Sequence, residues 1–176
     1  RELERCLGAG IRGVGEMRPD VQGFDLRDRA TMEPLVEVGR DHGAIFLIHA
    51  SEPVGHEYTG KGTITPDVLY PFICQFPDIA LVLAHWGGGL PFYALMPEVA
   101  RALENVYFDS SASSFLYRPQ VFRHVMDIVG AEKMLFGSDY PLVPQHHPIR
   151  EIEDMDLPPE AKKQVMGENA RRLLGW

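Results

Sequence analysis

Five runs of mostly apolar residues recur along the chain, and each ends on a side chain able to bind a metal or move a proton. Ile11 to Gly15 runs into Glu16, Ala44 to Ile48 into His49, and Ile79 to Ala84 into His85. Val106 to Phe108 then leads to Asp109, and Met134 to Ser138 leads to Asp139, where Pro141 stops the run. Runs without polar alternation read as strands buried on both faces. Between them lie helical patterns, predicted from Thr31 to Asp41 with Thr31 as cap, from Thr65 to Gln75, from Leu90 to Leu103 and from Pro119 to Ile128. A helix tail over Glu2–Ala9 opens the chain, and a helix starting at Pro158-Pro159 and stopping at Gly175 closes it. The segments 17–28, 50–63, 110–114 and 143–148 read as loops.

A strand end every 30 residues or so, with one helix in each gap, is a βα repeat, and that arrangement forces a parallel sheet. The fold class expected is α/β of the (β/α)8 TIM-barrel type. A full barrel takes about 250 residues, so 176 residues hold about five βα units in one domain, 1–176, and three units are expected to be missing. A doubly wound sheet fits the spacing too, but no glycine-rich phosphate fingerprint follows the first strand.

Composition narrows the partners. A formal net charge of −8, with no basic cluster longer than a pair, argues against nucleic acid. No apolar stretch approaches the roughly 20 residues that cross a bilayer, and the first residues, Arg1 to Arg5, do not form a signal peptide, so a cytoplasmic location without membrane contact is expected. Cys6 and Cys74 are isolated and read as buried apolar fillers.

If the strands form a barrel wall, Glu16, His49, His85, Asp109 and Asp139 project into one mouth. In α/β folds chemistry sits at the carboxyl ends of parallel strands. Two imidazoles and a carboxylate suit a divalent metal, Zn²⁺ first among them, with one position open for water. Metal ligation is therefore expected for His49, His85 and Asp139, with Glu16 a further candidate that could instead pair with Arg18. Asp109 could do no more than fix the Ser110-Ser111 turn.

His49 in Ile48-His49-Ala50, His85 in Ala84-His85-Trp86-Gly87-Gly88 and Asp139 in Phe136-Gly137-Ser138-Asp139-Tyr140-Pro141 resemble the fifth-, sixth- and eighth-strand signatures of the amidohydrolase superfamily. They are most similar to the branch of metal-dependent hydrolases that also holds the amidohydrolase-related decarboxylases, and Gly167 to Gly175 resembles that branch's last helix. The resemblance implies that the chain is the C-terminal portion of such a barrel and that His49 is a metal ligand. It makes His85 a ligand or catalytic imidazole, and Asp139 a ligand and proton shuttle. Glu16 falls where two-metal members place a bridging carboxylate. The superfamily's first-strand His-x-His pair is absent from this sequence, in line with the missing units.

The function expected is hydrolysis of an amide, ester or lactone-type bond in a small molecule by metal-activated water. The alternatives are non-oxidative decarboxylation of an aromatic or unsaturated acid, and an inactive barrel fragment that pairs through open strand edges, as a homo-oligomer for instance. Arg18, His56, Lys61, His146 and His147 lie in loops expected to rim the mouth and bind substrate.

Overall fold

A computed structural model describes all residues, Arg1–Trp176. Its centre is a five-stranded parallel sheet in the order β1-β2-β3-β4-β5. The strands are β1 (Gly13–Met17), β2 (Ile45–Ile48), β3 (Ala80–Leu83), β4 (Val106–Asp109) and β5 (Met134–Leu135). Sequential strands are neighbours throughout, which is the order of a barrel wall and not of an open doubly wound sheet. The register sets Ile48 beside Leu83 and Leu83 beside Phe108. His49, directly after β2, and His85, two residues after β3, therefore leave the sheet at the same end.

The apolar residues of these short strands pack against the covering helices. Phe46, Ile48, Leu81, Leu83, Phe108 and Met134 are buried, and Met32, Val36, Leu69, Phe72, Phe122 and Val125 from the covering helices join the same core. The helix Arg29–His42 comes so close that a Cβ on Gly39 would lie 2.4 Å from the Phe46 ring.

Several boundaries differ from the sequence expectation. Asp28, not Thr31, caps the helix Arg29–His42, its side chain accepting the Ala30 amide. A carboxylate at that position also favours the positive end of the helix dipole. The expected helix from Leu90 to Leu103 is instead 3-10 turns over His85–Leu95 and a short helix Pro97–Ala102. Trp86, Gly87, Gly88 and Gly89 all have φ between 55° and 90°, a left-handed run that no regular helix contains. The segment expected as a loop at 143–148 yields a helix, His146–Asp154. The last helix is interrupted by a wide turn over Gln164–Glu168.

β5 also stops early. The Phe136 amide donates to the Val165 carbonyl, and the Gly137 amide to Ser110 Oγ, so the ladder ends at Leu135. Asp139 thus lies four residues past the strand, in the left-handed region at φ 67°. Cys6 is only half-buried and Cys74 is exposed, on the outward side of the helix Pro66–Gln75, so neither is the buried filler expected. No helix is long and apolar enough to cross a membrane.

Candidate metal centre

Glu16, His49 and His85 meet at the carboxyl end of the sheet, with one ligand-capable atom of each lying within 4.8 Å of the others. His49 Nδ1 is 2.8 Å from Glu16 Oε1, and His85 Nε2 is 3.6 Å from the same oxygen. The two imidazoles stand edge to face with ring centroids 4.9 Å apart. Both histidines are buried, at 7% and 5% exposure, while the Glu16 side chain keeps 32% of its surface. Arg18 does not pair with Glu16; it reaches Asp20 at 3.3 Å.

Each histidine is aimed by a serine: His49 by Ser51, two residues further along, and His85 by Ser111, two residues beyond the end of β4. The His85 Nδ1–H donates to the Ser111 carbonyl oxygen at 3.2 Å and lies 3.0 Å from Ser111 Oγ. A carbonyl only accepts, so the proton is on Nδ1 and Nε2 is the atom presented to Glu16. The Ser111 hydroxyl in turn donates to Asp109 Oδ1, which also accepts the amides of His85 and Ser111. Asp109 is therefore not a fifth ligand but the anchor of the Ser111 turn. On the other histidine, Nε2 lies 3.2 Å from Ser51 Oγ, which accepts the Gly62 amide at 2.9 Å.

Burial by itself raises the Glu16 carboxyl, but hydrogen bonds and charge from His49 and His85 outweigh it and hold the group at about 2. Burial lowers the His85 imidazole, yet Glu16, Asp109 and the Ser111 carbonyl lift it to about 9. Burial raises the Asp109 carboxyl, opposed by its bonds to Ser111 and His85. A carboxylate and two imidazoles facing one point, with each ring's far nitrogen tied to a serine, is the donor set and supporting shell of a divalent-metal site. The residues present fit such an ion.

The cluster forms part of the wall of a cavity of about 390 Å³ that also takes in Arg18, His56, Tyr58, Asp139 and the apolar Ala112, Phe115, Leu116 and Leu142. Asp139 shares the cavity yet stands outside the tight Glu16, His49 and His85 cluster. Of the expected rim residues, Arg18 and His56 line this cavity and Lys61, His146 and His147 do not. Lys61 bends back onto its own loop, its Nζ 3.2 Å from the His56 carbonyl oxygen and 6.0 Å from the centre of the Tyr58 ring. His147 lines a separate groove with Ser114, Phe115 and Glu151, because residues 146–154 coil into a helix that carries the pair away. Ser51, Ser111 and Tyr58 were not among the expected site residues. The alternation of a strand continued past its end would have pointed to Ser51 and Ser111, which share a side with His49 and Asp109.

Comparison with solved structures places this fold among TIM barrels. The 5-carboxyvanillate decarboxylase of Sphingomonas paucimobilis superposes with a TM-score of 0.77 at 19% identity, over 99% of this chain and 62% of that one. A dihydroxybenzoic acid decarboxylase of Polaromonas, with bound manganese and the inhibitor 2-nitroresorcinol, gives 0.73 at 19%, over 99% and 64%. An uncharacterized TIM-barrel protein of Bordetella bronchiseptica gives 0.76 at 24%, over 99% and 60%. The chain thus spans less than two thirds of these structures, and what it shares with them is the fold of a partial barrel. The family model described as amidohydrolase matches residues 1–176, and with the metal-suited cluster at the strand ends this chain belongs to the amidohydrolase family.

Proposed function

We propose that the protein catalyses metal-dependent, non-oxidative decarboxylation of a small aromatic acid. The observation that carries this reading is the single cavity in which the Glu16, His49 and His85 cluster, the Arg18 guanidinium and the apolar Ala112, Phe115, Leu116 and Leu142 occur together. Its volume suits a one-ring ligand, apolar walls suit the ring, and a guanidinium suits its carboxylate. Two of the similar structures, decarboxylases of hydroxylated aromatic acids, support the same reading. Hydrolysis, the first expectation from the sequence, has less support from these similar structures.

Glu16, His49 and His85 would hold the ion, and we favour manganese over zinc because the Polaromonas relative carries manganese. Bound there, a divalent cation supplies Lewis-acid stabilisation of developing negative charge. Arg18 binds and orients the acid; its Nε is buried without a partner inside the protein. Phe115 and Leu116 hold the ring and keep water from it. When the carbon–carbon bond breaks, CO₂ leaves and the electron pair stays on the ring carbon. Asp139, in the cavity but outside the cluster, gives that carbon its proton. The test is a panel of carboxylated aromatics, esters, lactones and amides offered to the Mn²⁺-loaded protein. CO₂ release with the decarboxylated ring as product is expected; hydrolysis of an ester, lactone or amide without CO₂ would overturn the proposal.

A further inference from the structure

Beside the metal centre the loop after β2 carries a polar cluster that the mechanism above leaves unused. Tyr58 lines the cavity, and its hydroxyl donates to Glu52 Oε2 at 3.0 Å. A carboxylate has only acceptors to offer, so the phenol's one proton is committed to Glu52 and its oxygen has only lone pairs left. The ring is held as well. Lys61 Nζ stands 6.0 Å from its centroid, and the His56 ring packs at 5.5 Å. Burial, reinforced by Glu52 and opposed by a hydrogen bond from the Ser51 hydroxyl to one lone pair, pushes the Tyr58 hydroxyl up to about 12, so it stays protonated and the donor direction persists at neutral pH.

Glu52 itself is not part of the cavity lining, and its Oε1 is buried. The Tyr117 hydroxyl is buried on the other side of this carboxylate, and burial, reinforced by the charge and a hydrogen bond of Glu52, raises its pKa. A carboxylate withdrawn from solvent behind a substrate-facing tyrosine has little use as a ligand group of its own. What it does is fix the direction of the Tyr58 hydrogen bond.

We propose that Tyr58 is a specificity-determining residue that accepts a hydrogen bond from a ring hydroxyl of the aromatic acid, and that Glu52 is the positioning residue that makes Tyr58 an acceptor. This rests on the aromatic-acid reading above and narrows it to hydroxylated acids. A methoxy group at the same ring position brings no proton and sets oxygen lone pairs against oxygen lone pairs. Such a mismatch leaves buried acceptors unpaired and is strongly selected against.

The experiment is calorimetric titration of the Mn²⁺-loaded protein with benzoate, the monohydroxybenzoates and the matching methoxybenzoates. At one ring position the wild type is expected to bind the hydroxy acid about tenfold more tightly than its methoxy partner. Tyr58→Phe keeps the ring and the steric wall but should bring the pair to within about twofold. Glu52→Leu frees the phenol proton and should shift the preference toward methoxy; thermal unfolding confirms that both variants are folded. Equal binding of each pair by the wild type, or a hydroxyl preference that survives Tyr58→Phe, overturns this inference and leaves the aromatic-acid reading standing. If the wild type binds none of the aromatic acids, both fall together.

Discussion

Gly88 joins the turn after β3 to the backbone beside His49, and replacing it with alanine tests whether that packing builds the metal centre. Gly88 has φ +60°, and a Cβ there would lie 2.2 Å from the Ser51 carbonyl oxygen. A left-handed alanine costs about 1–2 kcal/mol wherever it occurs. Relieving the contact requires Ser51 to move by about 1 Å, since ordinary van der Waals contact begins near 3.4 Å. Ser51 is fully buried, its amide donates to the Ile64 carbonyl, and its Oγ meets the Gly62 amide and His49 Nε2. Losing or lengthening two of these bonds adds roughly 1–3 kcal/mol. Gly88→Ala should therefore lose about 2–5 kcal/mol in urea unfolding. Its affinity for Mn²⁺ should fall by about tenfold or more as His49 loses its brace.

Gly89→Ala is the control. At φ +90° it carries a comparable backbone strain, but its Cβ would meet nothing nearer than Tyr117 Oη at 3.6 Å. It should lose only about 1–2 kcal/mol and keep its metal. If the two variants unfold alike and Gly88→Ala binds Mn²⁺ as the wild type does, the contact with Ser51 does not hold the site.

Ser111→Ala removes the hydroxyl between Asp109 and His85; equilibrium dialysis should show Mn²⁺ affinity reduced by about 10- to 100-fold, with Ser111→Thr restoring most of it. Asn169→Ala strands the carbonyls of Ala131 and Met134, both now served by its buried amide; urea unfolding should show a loss of about 2–4 kcal/mol, with metal affinity unchanged. Asp139→Asn should lower turnover by about 10²- to 10⁴-fold while its metal affinity changes far less than that of His49→Ala, because Asp139 lies outside the ligand cluster.

The sheet was legible because buried parallel strands are apolar runs, and the polar residue that ends each run is where the strand leaves the core. Glu16, His49 and His85 could be named from that pattern. Asp139 could be named too, but not its distance from the cluster. That distance depends on Val165 and Ser110 capturing the backbone after Leu135, contacts between segments far apart in sequence. The glycines after His85 announced a break without revealing that five successive residues, His85 to Gly89, would turn left-handed. That Lys61 and the His146-His147 pair stand outside the cavity was not legible, for a plain reason. A charged or aromatic residue in a loop carries no mark of whether it faces the mouth or folds back, and here Lys61 covers Tyr58 while the histidines start a helix. Glu52 gave no signal either, since its meaning comes from the tyrosines on either side.

The central claim is that Glu16, His49 and His85 bind one divalent ion, and equilibrium dialysis against Mn²⁺ followed by elemental analysis tests it most directly. The account predicts stoichiometric Mn²⁺ on the wild-type protein, and its loss in His49→Ala, a variant whose unfolding transition remains cooperative. A wild-type protein that emerges without stoichiometric metal, or a His49→Ala variant that retains it undiminished, would contradict the account.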